Sequence, residues 1–151
     1  GDLDTVVDLL NRGASANATL LGSGSALIVA ARGGHADIVR LLLDRGAYPD
    51  MPVIGDGNPL IMASREGHHA IAEMLIDRGA DVNRVVFGDE NALIQASWQG
   101  HLDVVQLLVR RGADVNARVW SGREWRTARG MAWANGHNEV VAFHESAGAR
   151  E

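Results

Sequence analysis

The stretch from residue 91 to residue 116, NALIQASWQGHLDVVQLLVRRGADVN, decides the fold. Asn91 is a favourable helix N-cap, and the apolar run behind it ends at Gly100, which predicts a first short helix. The run that begins at His101 carries apolar residues on one helical face. These residues are Val104, Val105, Leu108 and Val109. The run ends in two arginines and Gly112, a basic last turn followed by a residue suited to the left-handed cap, so the stretch predicts two helices joined by a tight turn.

The same pattern recurs along the whole chain. The first recurring element is a glycine, found at Gly1, Gly34, Gly67, Gly100 and Gly136. A histidine follows each of these glycines except Gly1. These glycines lie 33, 33, 33 and 36 residues apart. A Gly-Ala pair follows each of them at a nearly constant distance, at Gly13, Gly46, Gly79, Gly112 and Gly148. A fixed period of this length indicates a solenoid, in which each helix pair buries its apolar face against its neighbours.

Two motifs within this period make the chain resemble the ankyrin repeat family. One is Gly-His-x-x-x-Val-x-x-Leu-Leu, and the other is Arg-Gly-Ala-Asp-Val-Asn, which is intact at Arg78–Asn83 and Arg111–Asn116. The resemblance covers nearly the whole chain and implies an all-α solenoid of antiparallel helix pairs with projecting hairpin fingers. A narrower resemblance, carried by Gly-Asp-Gly-Asn-Pro-Leu-Ile at residues 55–61, is to ankyrin tails of bacterial membrane sensor metallopeptidases.

The resemblance divides the chain into one domain over residues 1–151. We expect a half repeat at 1–17, regular repeats at 18–50, 51–83 and 84–116, and an irregular C-terminal capping repeat at 117–151. Second helices are expected at 2–12, 35–45, 68–78, 101–111 and 137–147. First helices are expected near 25–33, 58–66, 91–99 and 127–135.

Some positions depart from the family pattern. Ile28, Ile61 and Ile94 replace the histidine of the family's Thr-Pro-Leu-His, which removes that residue's hydrogen bonds to the next finger. The last unit has three extra residues, and it carries Arg129 and His144 where earlier units have leucine. One interpretation is a polar cap whose outer face meets water. The other is that Arg129 and His144 line a site, which requires them to be adjacent.

The composition and the motifs argue against an enzyme. The chain has 151 residues, a formal net charge of −5 and no cysteine, which excludes disulfides, thiolate metal sites and cysteine nucleophiles. Nucleophile-elbow and zinc-protease motifs are missing from the sequence. The recurring histidines belong to helix layers about 8–10 Å apart, too far to share an ion that needs bonds of about 2 Å. We therefore expect no catalytic residue, no cofactor and no metal site.

Each finger contains two adjacent bulky apolar residues. The pairs are Leu20-Leu21, Val53-Ile54, Val86-Phe87 and Val119-Trp120. Adjacent residues of an extended segment face opposite sides, so one member can pack on a neighbouring finger while the other projects outward. The alternative is that both members are buried between the fingers.

These features favour a non-catalytic module that binds a protein or peptide on its concave finger and first-helix face. The candidate contact residues are Leu21, Ile54, Phe87, Trp98, Trp120, Arg123 and Trp125. Acidic residues of the fingers, expected at the rim, would prefer a basic partner; they are Asp56, Asp89 and Glu90. Large exposed apolar groups with Trp and Arg among them are typical of interfaces.

An alternative is a nucleic-acid-binding or regulatory ankyrin tail of a larger bacterial protein. Basic residues alternate with tryptophans near the C-terminal end, as in proteins that bind single strands. They are Arg118, Arg123, Arg126 and Arg129. The negative net charge argues against this alternative, and the sequence leaves the oligomeric state and the compartment open.

Overall fold

A computed structural model of the chain describes residues 1–20, 24–53, 55, 57–88 and 90–150. Over these residues the chain forms nine helices joined by turns and short extended fingers. The helices are α1 (Leu3–Asn11), α2 (Ala26–Arg32), α3 (Ala36–Asp44), α4 (Pro59–Arg65), α5 (His69–Asp77), α6 (Ala92–Gln99), α7 (Leu102–Arg110), α8 (Ala128–Ala134) and α9 (Asn138–Ser146). The strands are β1 (Thr19–Leu20), β2 (Gly24–Ser25), β3 (Val119–Trp120) and β4 (Trp125–Arg126).

The architecture is the all-α solenoid that the sequence predicts. Every predicted helix is present, and its ends lie within one residue of the expected ones. The strands pair only locally, as two antiparallel hairpins, β1 with β2 and β3 with β4. In the described part of the chain, no helix is long and apolar enough to cross a bilayer.

Each first helix starts at a side-chain cap. An oxygen of Ser25, Asn58, Asn91 or Thr127 accepts a hydrogen bond from the backbone N–H three residues further on, at 2.7–3.2 Å. Such a bond satisfies one of the amides that a helix N-terminus leaves free, and its loss costs about 1 kcal/mol. The recurring Ser, Asn or Thr therefore determines where each first helix begins.

The helices form two layers with the core between them. First helices α2, α4, α6 and α8 pack side by side more closely than the second helices do. Small buried residues allow this close approach; they include Ala31, Ala63, Ala96 and Ala132. The isoleucines at positions 28, 61 and 94 are also fully buried. In this chain the position that is histidine in the family motif thus adds apolar packing to the core.

The histidines at the starts of second helices connect each unit to the one before. Nε2 of His68, His101 and His137 donates to a backbone carbonyl near the end of the first helix in the preceding unit, at 2.8–3.1 Å. The rings lie directly on the glycine turns. At Gly100, which has φ +81°, an added Cβ would lie 2.5 Å from the His137 ring, so this turn requires glycine.

Asparagines connect successive turns in the same way. Asn17 donates from Nδ2 to the Gly46 carbonyl at 3.0 Å and accepts at Oδ1 from the Tyr48 amide at 2.8 Å. Asn83 and Asn116, two and three units beyond Asn17, make the same pair of bonds to the turn that follows each of them. These bonds, together with the buried helix faces, hold neighbouring units in a constant register.

Candidate functional site

The two adjacent apolar residues of a finger face opposite sides where both are described. Val86 is 6% exposed and Phe87 is 79% exposed, and Val119 is 8% exposed beside Trp120 at 47%. One member of each pair is therefore packed and the other projects, so the alternative in which both are buried is wrong for these two fingers. Leu21 and Ile54, the outward candidates of the first two fingers, lie outside the described residues.

The three extra residues of the last unit lengthen its finger into a hairpin. Val119 pairs with Arg126 and Trp120 with Trp125 in an antiparallel register. The two indole rings lie edge to face, with centroids 5.6 Å apart, and Trp125 is 58% exposed. Edge-to-face ring pairs stabilise each other by about 0.5–1.5 kcal/mol, so the hairpin presents a pre-arranged aromatic pair to solvent.

Phe87 and the tryptophan pair form one continuous patch, which we call the aromatic patch (Phe87, Trp120 and Trp125). Phe87 and Trp120 line a common groove of about 400 Å³ between the last two fingers, together with Val85 and Arg118. Three large, solvent-exposed aromatic side chains on two neighbouring fingers are more than the scattered apolar residues of an ordinary surface. Three of the candidate contact residues are thus brought together.

A second cleft lies beside the aromatic patch. It has a volume of about 370 Å³ and is lined by Asn116, Arg118, Trp125, Thr127 and Arg150. The guanidinium of Arg118 lies over the Trp125 ring, 5.6 Å from its centroid, within cation–π distance. Arg123 is exposed at the hairpin turn, which Ser121 and Glu124 close through hydrogen bonds.

Trp98 is placed differently from the other aromatic candidates. It is only partly exposed, and the guanidinium of Arg126 covers its ring at 5.0 Å from the centroid. Trp98 lines a separate, more polar cleft of about 260 Å³ with Glu90 and Arg126. It therefore lies near the fingers as the sequence indicated, but outside the aromatic patch.

The expectation that Glu90 lies at an acidic rim is wrong. Its side chain is 4% exposed and accepts from Arg126 Nη1 at 2.8 Å. Glu90 occupies the finger position held by Gly24 and Gly57 in earlier units, and its φ of +64° is unusual for a residue with a side chain. Arg126 holds the equivalent position in the next finger, so opposite charges meet across two fingers. Asp56 and Asp89 lie outside the described residues.

The basic residues that suggested nucleic-acid binding are partly neutralised. Arg126 pairs with Glu90 and also with Glu124, at 3.1 Å. Arg129 pairs with Glu145 at 2.8 Å. Two of the four arginines therefore already have carboxylate partners, which weakens the positive field that a phosphate backbone would meet.

His144 is buried, which contradicts the expectation of a polar outer face at this position. It has no exposed surface, and its Nε2 shares a hydrogen bond with Ser97 Oγ at 2.8 Å. Burial, together with the positive charge of Arg129, lowers the pKa of His144 to about 4. A neutral, fully buried ring offers nothing to a ligand, so the interpretation of Arg129 and His144 as a binding pair is also wrong.

Ser64 occupies the position of Ser97 in the preceding first helix, and the two serines should respond oppositely to substitution. Ser64 is fully buried, and its Oγ has no hydrogen-bond partner among the described residues. Because an unsatisfied buried hydroxyl costs about 1–3 kcal/mol, Ser64→Ala should raise the free energy of unfolding by about 1 kcal/mol. Ser97→Ala should lower it by about 1–3 kcal/mol, since it leaves His144 unpaired. Urea unfolding measures both changes, and equal losses would contradict the assignment.

The helix pairs, the fingers and their connecting bonds agree with the comparison with known families. A family model described as ankyrin repeats (three copies) matches residues 1–86 and 58–119. A search of curated proteins found no match. The matched ranges together cover most of the chain, from the first half unit to the start of the last finger. The chain therefore belongs to the ankyrin repeat family.

Proposed function

We propose that this domain binds a protein or peptide partner on its finger and first-helix face, with the aromatic patch at the centre of the contact. Ankyrin repeats are generally protein–protein interaction modules and generally non-catalytic. The observation that carries the proposal is the exposure of Phe87, Trp120 and Trp125 on two neighbouring fingers. Tryptophan is enriched among the residues that carry most of the binding energy, and aromatic residues including phenylalanine are enriched at the core of protein interfaces.

The size of the patch is sufficient for a specific contact. Complete burial of one fully exposed large apolar side chain contributes about 1.5–3 kcal/mol, so Phe87, at 79% exposed, and Trp120, at 47%, together supply about 2–4 kcal/mol. A micromolar complex requires about 8 kcal/mol after the entropic cost of association. The two residues can therefore form the core of such a contact, with Trp125 and Arg123 beside them.

The proposed contact extends beyond the described patch. Leu21 and Ile54 hold the positions of Phe87 and Trp120 in the first two fingers, and the proposal includes them as a continuation of the same ladder. Trp98 is included at the edge on the first-helix side. Its ring already stacks under Arg126, so we expect it to contribute less than the aromatic patch.

The alternative of a nucleic-acid-binding or regulatory tail of a larger bacterial protein has less support. Stacking of bases needs free aromatic faces, and arginines cover faces of Trp98 and Trp125. The net charge of −5 also opposes phosphate binding. A salt titration of single-stranded DNA binding separates the classes, because binding through phosphates weakens steeply as salt rises.

Substitution of an aromatic-patch residue should abolish partner binding without loss of stability. Phe87→Ser removes a side chain that is 79% exposed, so Tm should change by no more than about 2 °C. Retention of partner proteins from a cell lysate on the immobilised domain should fall at least about tenfold, which corresponds to about 1.4 kcal/mol. Quantitative mass spectrometry measures the retention of each protein.

Tyr48→Ser is the matched control, because Tyr48 is an exposed aromatic side chain that lies outside the aromatic patch and the first helices. This variant should retain the same proteins as the unmodified domain. Equal retention by Phe87→Ser, or a large fall in its Tm, would count against the patch as the binding surface.

A further inference from the structure

We propose that the cleft between Arg118, Trp125 and Arg150 receives an acidic segment of the protein partner, in which carboxylates lie next to a bulky apolar side chain. The inference rests on the proposed function and adds the chemical class of the partner. It reverses the sequence-based expectation of a basic partner, which depended on an acidic rim that includes Glu90. Glu90 is buried against Arg126 and is not available at a rim.

The cleft places two guanidinium groups beside Trp125, a residue of the aromatic patch. Arg118 and Arg150 line it from either end of the last unit, and the exposed Trp125 ring lies between the charged and the apolar parts of the surface. Asn116 accepts from the Arg150 amide at 2.8 Å and donates to the Gly148 carbonyl, so the Arg150 backbone is held beside the cleft. The site is therefore built on hydrogen-bonded backbone of the last unit.

Arginine pairing over the rest of the molecule makes this cleft unusual. Carboxylates lie within ion-pair distance of Arg12, Arg40, Arg65, Arg78, Arg84, Arg111, Arg126 and Arg129. Among the described residues, Arg45, Arg110, Arg118, Arg123 and Arg150 have no carboxylate within ion-pair distance. Arg45 donates to Asn11 instead, and Arg110 lies apart at the end of α7. Three of these five arginines belong to the last unit, and two of them line the cleft beside Trp125, in a chain whose net charge is −5.

The shape of these groups favours carboxylates of a peptide. A guanidinium donates two parallel hydrogen bonds to a carboxylate, and this geometry adds specificity to the charge attraction. The neighbouring groove with Phe87 and Trp120 accepts an apolar side chain a short distance away. A nucleic acid fits less well, because Arg118 covers a face of the Trp125 ring and Trp120 packs against the same ring, which leaves less of it free for base stacking.

Selection from a peptide library tests the partner class directly. The full domain is immobilised and a phage-displayed library of random dodecapeptides is selected on it, then sequenced. The enriched peptides should combine Asp or Glu with Leu, Ile, Phe or Trp. For one enriched peptide, labelled and titrated by fluorescence anisotropy, Arg118→Gln and Arg150→Gln should each raise Kd at least about tenfold. Arg110→Gln is the matched control, because it removes the charge of another exposed arginine without a carboxylate partner in the described chain, and it should change Kd less than about twofold.

Three results would overturn the inference. The first is enrichment of basic or uncharged peptides, or no enrichment. The second is equal affinity of an acidic peptide for the unmodified domain and for Arg118→Gln. The third is tighter binding of a dodecathymidylate oligonucleotide that depends on Arg118, which would assign the cleft to nucleic acid. If any of these occurs while Phe87→Ser still abolishes protein capture, the proposed function stands and only the partner class is wrong.

Discussion

Replacing Arg126 with glutamine should lower the free energy of unfolding by about 3 kcal/mol, a large fraction of the stability of a domain this size. The variant leaves the Glu90 carboxylate, which is 4% exposed, without the guanidinium that now lies 2.8 Å away. Removing one member of a buried pair costs about 3–5 kcal/mol, and the partial exposure of Arg126 places this case at the lower end. Urea unfolding followed by circular dichroism measures the change.

The backbone conformation at Glu90 makes the stability of the domain depend more strongly on the Glu90–Arg126 ion pair. Gly24 and Gly57 hold the same position with positive φ at little cost, whereas a residue with a side chain is strained there by about 1 kcal/mol. Glu90 is retained in that conformation between Arg126 and the finger backbone, where its amide and carbonyl both bond to Val86. Arg126 also covers Trp98, so its removal uncovers an aromatic ring as well.

Two comparisons separate this effect from a general loss of charge. Arg78→Gln breaks the exposed pair with Asp44 and should cost less than about 1 kcal/mol, since both side chains remain largely in water. The double variant Glu90→Gly with Arg126→Gln removes both charges and the backbone strain, so it should regain most of the loss. A double variant no more stable than Arg126→Gln alone would show that the buried carboxylate is not the cause.

The helices could be predicted because they follow from local rules, whereas for the fingers the local rules left two alternatives open. Helix ends depend on a capping residue and a glycine a few positions apart, and both recur with the period of the chain. The opposite orientations of Val86 and Phe87 follow from the alternation of an extended backbone. Whether Phe87 would be exposed depended on how the fingers pack on one another, and in the structure Val86 is packed while Phe87 projects.

The Glu90–Arg126 pair could not be predicted in the same way. The two residues are 36 positions apart, and their contact arises only when adjacent fingers are superimposed in register. Within its own segment, Glu90 looked like an exposed acidic residue. A signal was present nevertheless, because Glu90 and Arg126 are the two residues that replace glycine at one repeated position. Aligning the fingers by structure, including the three-residue insertion, would have placed opposite charges side by side.

The burial of His144 had a comparable signal. Its position holds Leu42, Leu75 and Leu108 in earlier units, all of them fully buried. The sequence instead suggested a water-facing cap, because histidine is polar and the unit is the last of the chain. Ser97 on the facing first helix supplies the hydrogen bond that a buried imidazole requires, although the preceding unit also has a serine at this position.

Lowering the pH from 7 to 5 should reduce the free energy of unfolding by about 2 kcal/mol through His144 alone. Its pKa is about 4 in the folded protein, where burial disfavours the charged ring, and about 6.5 in an unfolded chain. Between these values the unfolded state binds more protons than the folded state, so protons favour unfolding. The stabilisation is complete above pH 6.5, falls as the pH drops towards 4, and changes no further below it.

His144→Leu isolates this contribution, because leucine is the buried residue at the equivalent positions and does not titrate. At pH 7 the variant should differ from the unmodified domain by no more than about 1 kcal/mol, since Ser97 then resembles the unpaired Ser64. At pH 5 it should be the more stable of the two by roughly 1–2 kcal/mol, because only the unmodified domain has lost stability through this ring. Val140→Ala, in the same helix and equally buried, should lower stability by the same amount at both pH values. Urea unfolding curves between pH 4.5 and 7.5 measure the difference, and parallel profiles for His144→Leu and the unmodified domain would show that the ring is not held neutral by the fold.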